Sequence, residues 1–239
     1  MQTSMKLLLT APPDQCRAAL RFGLPVAHVA YRVGGGPHLF RASIPVSGPF
    51  CQEVLRECMA RGYDGILCDF EGHPLQVLAQ AVRTLGELTK KRGWPLYVTE
   101  AYAPFSDSAI ALIPSALSGG SLQQRLQEAV ERFGAARVAL AVERVAEDFF
   151  LPSPTGQGMP LTREELRQRL EERAPSVFFS SELCAHYFTY MSRQNGAHFV
   201  LFDDAGSIRK KLQVARNLGI SSAVLAYPQV DDLLPELLK

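Results

Sequence analysis

No charge of either sign dominates this chain: 25 Lys and Arg stand against 24 Asp and Glu over 239 residues. No basic cluster is larger than Lys90-Lys91-Arg92 or Arg209-Lys210-Lys211. A protein that tracks phosphates needs a basic stripe, so nucleic acid is not an expected partner. Long apolar runs are also missing. Lys6 is followed only by Leu7-Leu8-Leu9, too short for a signal-peptide core, and no run approaches a membrane span. No membrane partner and no signal peptide are therefore expected, and the cytoplasm is one expected setting. The 5 cysteines are scattered, odd in number and without a CxxC pair, which reads as reduced thiols with no disulfide framework. The 5 histidines show no HxH or HExxH spacing, so neither a metal site nor a cofactor is expected. The Gly34-Gly35-Gly36-Pro37 run lacks the Lys-Ser/Thr of a P-loop and the spacing of GxGxxG. The strand-like His38 to Ile44 after it is not the helix a phosphate cradle needs, so the run reads as a connection.

What remains is a core-forming composition, 47% hydrophobic and 21% charged, of a length that suits a single domain over residues 1–239. Strand-like and helix-like patterns alternate along it. Lys6 to Thr10, Ala27 to Val33, Ile66 to Phe70, Pro95 to Ala101, Ala109 to Ile113, Arg137 to Val142 and Ala223 to Ala226 read as strands. Between them, Phe50 to Arg61 and Leu75 to Leu88 carry apolar residues at helical spacing. Ser121 with Gln124, and Thr162 with Glu165, form capping boxes that open two further helices, and Ser207 is placed to cap a last one from Ile208 to Leu218. Such alternation implies a parallel sheet, and about eight strands favour a closed α/β architecture, the (β/α)8 TIM barrel. Phe149 to Pro160 (FFLPSPTGQGMP) reads as a loop. Tyr187 to Met191, the turn Arg193-Gln194-Asn195-Gly196 and His198 to Phe202 read as a β-hairpin within a small inserted lobe near residues 177–202. It is expected over one side of the barrel mouth, with Tyr187, Phe188 and Tyr190 walling a cleft.

One strand ends in acid. In Tyr63-Asp64-Gly65-Ile66-Leu67-Cys68-Asp69-Phe70-Glu71-Gly72 the side chains of Leu67, Asp69 and Glu71 share one face. Two carboxylates therefore stand at the carboxyl end of a barrel strand, where α/β folds place their chemistry. Side by side they repel when both are charged, which tends to hold a proton on one of them. Glu100 and Tyr102 end the next strand on the same expected rim and are candidate sugar contacts. Asp64, ahead of the strand, is a further candidate substrate contact, although a structural turn role is the commoner one at such a position. The single Trp, Trp94, starts a strand at the opposite end and reads as packing.

DGILCDFE at Asp64 to Glu71 resembles the DxxDxDxE signature of glycoside hydrolase family 18, the chitinase-like barrels, with Leu67 where the middle Asp belongs. The segment from His186 to Tyr227 is similar to the family's late hairpin, its "(Y/F)(D/E)D..S...K" stretch, and its last helix and strand. The spore-type members that cut cortex peptidoglycan look nearest. The resemblance implies a hydrolase acting on an N-acetylated oligosaccharide or peptidoglycan, a sporulation role and a spore-associated setting. In that mechanism Glu71 is the general acid, and Asp69 stabilises the substrate's own N-acetyl group as it attacks the anomeric carbon. The family's Met-x-Tyr-Asp aligns with Ile113-Pro114-Ser115-Ala116, and its last-strand Trp falls near Ala226, with Tyr227 as a substitute sugar contact. Those losses, with Leu67, leave a binding-only pseudoenzyme of the same fold as the alternative.

Overall fold

The computed structural model describes residues 5–28, 48–70, 72–153, 156–192 and 196–239. The expected strand at 38–44, the Gly34 to Pro37 run, the hairpin tip at 193–195 and Glu71 lie outside them. In chain order the elements are β1 (Lys6–Ala11), α1 (Cys16–Ala19), β2 (Val26–His28), α2 (Gly48–Ala60), β3 (Ile66–Cys68), α3 (Gln76–Lys90) and β4 (Leu96–Thr99). Next come β5 (Ala109–Pro114), α4 (Leu122–Phe133), β6 (Val138–Val142), β7 (Ala146–Leu151), β8 (Met159–Pro160), α5 (Arg163–Arg173) and β9 (Phe178–Ser180). The chain closes with β10 (Ala185–Ser192), β11 (Gly196–Phe202), α6 (Ala205–Asn217), β12 (Ser222–Ala226), α7 (Tyr227–Val230) and α8 (Leu234–Leu237).

Seven strands form one sheet in the order β2-β1-β12-β6-β5-β4-β3, and each neighbouring pair is parallel. Its two faces are buried by different means. One face, with Leu9, Ile66, Cys68, Leu96, Val98, Ala111, Ile113, Leu140, Val142 and Leu225, packs under the helices through Cys51, Leu78, Val82, Leu126, Ile208 and Leu212. The other carries Leu8, Leu67, Tyr97, Ile110, Leu112, Ala139, Ala141 and Val224, a cluster drawn from strands alone. Tyr97, Leu112, Ala139 and Val224 are nonetheless buried. A flat sheet without a covering layer leaves such a face in water, so this sheet rolls up and covers itself as a nearly closed barrel.

The helix ends obey local chemistry, with two departures from expectation. Thr162 and Glu165 form the full capping box of α5. Ser121 accepts from the Gln124 amide, but the Gln124 side chain reaches forward to Glu128 instead of back. At α6 the cap is Asp204 and Ser207 is its reciprocal partner, so the helix starts earlier than Ser207 suggested.

The inserted lobe is larger than a hairpin. It is a five-stranded sheet, β8-β7-β11-β10-β9, antiparallel throughout. The Phe149 to Pro160 loop is corrected: β7 runs through its start and β8 takes its end. The chain leaves the barrel after β6 and returns ahead of α6, and one buried network ties these two necks together. Asp203 N donates to Val145 O at 2.8 Å, and Val145 N donates to Asp203 Oδ2 at 2.9 Å. Lys211 Nζ reaches the same carboxylate at 2.6 Å and Ser207 Oγ donates to Oδ1 at 2.6 Å. Lys211 is fully buried and Asp203 nearly so, a placement tolerable only because every charge has its partner.

Candidate active site

The candidate site is the carboxyl-end mouth of the barrel, and strand parity decides which side chains enter it. Leu67 belongs to the inner cluster, so Asp69, two residues on, stands on the same side at the rim, open to solvent. Thr99, on the inner face of β4, donates its hydroxyl to Phe70 O at 2.9 Å and pins the segment that carries Asp69. Glu71 continues this run but lies outside the described residues. Cys68 points the other way, and burial, with Cys51 adding, pushes its thiol up to about 12. A thiol so reluctant to ionise is no nucleophile.

A second carboxylate reaches the mouth from β6, and no reading of the sequence anticipated it. Ala139 and Ala141 lie in the inner cluster while Leu140 and Val142 lie in the outer one, so Glu143 follows on the inner side. The protein mass around its carboxyl holds it above the usual range, the charge of Asp69 pushes the same way, and Lys211 partly opposes them. Its backbone is gripped from β5: Glu143 N donates to Ser115 Oγ at 3.1 Å, and that hydroxyl donates to Glu143 O at 3.4 Å.

The other expected contacts fall elsewhere. Asp64 is exposed ahead of β3, about 16 Å along the chain direction from Asp69 at strand rise, at the amino end of the barrel. Glu100 is only a quarter exposed and turns to the helix side, paired with Arg125 and, at 4.0 Å, with Arg132 of α4. Tyr102 is wholly buried; its ring packs edge-on against Phe70 and its hydroxyl accepts the Leu75 amide at 3.0 Å. It anchors the start of α3 and touches no solvent. Tyr227 is buried on the outer face against Phe22, their centroids 6.2 Å apart, and Ala226 takes the inner position. Parity also moves the β5 alignment by one residue. Ile113 packs with the outer cluster and Ser115 shares its side, wholly buried, so the inner positions are Leu112 and Pro114.

The lobe sits beside this mouth. On one face Phe149, Leu201, Tyr187 and Phe199 pack with Val145, Leu183 and Ala116, the last just past the end of β5. Phe178, Tyr187 and Phe199 continue there as a stacked row, with centroids 5.6 and 5.2 Å apart. Of the three aromatics expected to wall a cleft, Tyr187 alone is on this face. Phe188 is buried under α5. Tyr190 stacks on His198 at 4.5 Å and donates to Asp148 at 2.9 Å.

Comparison with solved structures accounts for this architecture. The spore cortex-lytic enzyme SleL of Bacillus megaterium superposes with a TM-score of 0.68 at 13% identity, over 100% of this chain and 75% of that one. SleL of Bacillus cereus gives 0.69 at 14% identity, over 99% and 75%. A glycoside hydrolase family 18 chitinase from Cycas revoluta, solved with (GlcNAc)3, gives 0.58 at 15% identity, over 94% and 83%. This is the chitinase-like fold of glycoside hydrolase family 18. The two spore cortex-lytic enzymes match across nearly the whole chain. No family model matches the sequence. In a family 18 barrel the carboxyl-end mouth is where the resemblance places Asp69 and Glu71, and Asp69 stands on that mouth here.

Proposed function

We propose that this protein is a glycosidase-like member of the family 18 fold, acting on N-acetylglucosamine-containing glycans such as peptidoglycan. The working unit is residues 1–239, barrel and lobe together, and the setting is the spore or the cytoplasm. The observation that carries the reading is Asp69, on the inner face at the carboxyl end of β3, continued in sequence by Glu71. Glu71 gives its proton to the glycosidic oxygen as that bond breaks. The oxygen of the substrate's N-acetyl group attacks the anomeric carbon, and Asp69 stabilises the positive charge that spreads onto the acetamido group. Water then opens this intermediate, returning a proton to Glu71, so no enzyme nucleophile is required. The chitinase and cortex-lytic structures that share the fold support the substrate class.

One observation favours a second reading, a glycan-binding protein without turnover. The inner positions nearest the acids are apolar: Leu67, Leu112, Pro114 and Ala226. Positioning groups commonly supply several kcal/mol of a barrier, and these four side chains offer none. Release of a chromophore from an aryl N-acetylglucosamine oligomer, beside the same aglycone on glucose oligomers, tests both. Release from the N-acetylated substrate alone supports the substrate-assisted enzyme. Binding without release supports the second reading.

A further inference from the structure

We propose that the lobe binds a primary ammonium group carried by the glycan, with Glu147 as its counter-charge and the aromatic row beside Glu147 as the bed for the rest of the ligand. The proposal rests on the reading of the mouth as a glycan site. It starts from two acids that are adjacent in β7 and that strand alternation sends to opposite faces of the lobe sheet. Asp148 turns under α5, where His198 and Tyr190 reach it at 2.9 Å and Arg169 at 3.3 Å. Glu147 turns to the other face, opposite Leu201 on one side and Pro160 on the other. Among the described residues no hydrogen bond or ion pair meets its half-buried carboxylate. Burial alone holds that carboxyl above the usual range, as expected of an acid without a counter-charge.

The surroundings of Glu147 name the missing partner. A Cβ on Gly158 would stand 2.9 Å from Glu147 Oε2 and 3.0 Å from Phe149 Cζ, so the carboxylate and the tip of that ring close around one point. From Phe149 the rings continue across the sheet to Phe199, Tyr187 and Phe178, with centroids 6.0, 5.2 and 5.6 Å apart. Phe178, at the far end, is 54% exposed. The arginines that α5 brings to the lobe serve the opposite face, Arg169 on Asp148 and Arg173 over the Tyr190 ring at 4.1 Å. One uncompensated carboxylate beside ring faces attracts a cation. A metal ion needs several oxygen ligands, and the described residues hold no group of three metal-ligating side chains. An ammonium, with three donors and an affinity for aromatic faces, fits what is there.

The same face packs on Ala116, just past β5, and on Val145, so a glycan lying in the mouth presents its substituents to this row. Two sources carry the group: a glucosamine that has lost its acetyl, and the free amine of a short peptide branch on the sugar.

The test is calorimetric binding to the full chain in a Glu71→Gln background, so that no probe is consumed, with and without Glu147→Gln. Two pairs of probes separate the sources: a glucosamine tetramer beside its N-acetylated form, and a peptide-bearing disaccharide with its amine free beside the same compound with that amine acetylated. At least one amine probe should bind about five-fold or more tightly than its acetylated partner. Glu147→Gln should erase that preference and leave the affinity for the acetylated probes unchanged. Phe178→Ala, a change at an exposed ring, should weaken every probe alike. Equal affinity within both pairs, or a preference that survives Glu147→Gln, overturns the proposal even if wild type cleaves glycan. A Glu147-dependent preference in a protein that releases no glycan sustains it and counts against the glycosidase reading alone.

Discussion

Leu67→Asp restores the acid that the family signature has at this position, and the structure gives the cost. Leu67 sits in the inner cluster among Tyr97, Leu112 and their neighbours, a cluster drawn, among the described residues, from strands alone. Losing the leucine side chain from such a layer costs about 2–5 kcal/mol, the range for Leu→Ala in cores. The new carboxylate would lie one same-face step from Asp69, about 7 Å away. At an effective dielectric of about 20 that repulsion is about 2.4 kcal/mol, equivalent to roughly 1.7 pKa units. The new acid therefore titrates in the folded state well above the roughly 3.9 of an unfolded Asp. Its folded pKa is raised, so the charge penalty is absent below the unfolded value and grows as pH rises through the folded one. Leu67→Asp should melt earlier than wild type at pH 7 and recover part of the gap near pH 4, measured by urea unfolding. Leu67→Asn, with similar shape and no charge, should show the packing loss without the pH dependence. If Leu67→Asp unfolds like wild type at pH 7, position 67 is not inside the barrel, and the placement of Asp69 at its mouth fails with it.

Lys211→Met leaves the Asp203 carboxylate buried without its cation, so urea unfolding should show a loss of about 3–5 kcal/mol, and faster proteolysis at the lobe necks should accompany it. Ala174 closes α5 with φ 40° and ψ 50°, a left-handed conformation that costs a non-glycine residue about 1–2 kcal/mol. Ala174→Gly should therefore stabilise by up to about 1 kcal/mol after its extra unfolded-state freedom is counted, and a lower thermal midpoint would contradict the assignment.

The sequence displays the barrel because its outer helices are amphipathic and its strands short. It hides which way the strands face. The AIALIP of β5 and the SAVLA of β12 are apolar on both sides, as expected of strands packed by helices outside and by the barrel inside. Without polar alternation the register is undetermined by one residue, which put Ser115 and Tyr227 at the mouth when both point outward. β3 escapes this because Asp69 breaks its apolar run and marks a side. β7 was concealed for the opposite reason. Its Glu147 and Asp148 look like loop residues, and Asp148 is buried only because His198, Tyr190 and Arg169 come to it from other elements, at 2.9, 2.9 and 3.3 Å. Tyr102 and Glu100 misled because a rim position after a strand does not say whether a side chain turns inward. Glu143 left no signal, since its place at the mouth exists only once the sheet rolls up.

Turnover of an N-acetylglucosamine oligomer by wild type, Glu71→Gln and Asp69→Asn, each confirmed folded by its melt, tests the central claim most directly. General acid catalysis is commonly worth 10²–10⁴-fold, so wild type should release product and Glu71→Gln should fall by about that factor, with Asp69→Asn also impaired. Equal turnover in all three would remove the acidic end of β3 from the chemistry and contradict the account.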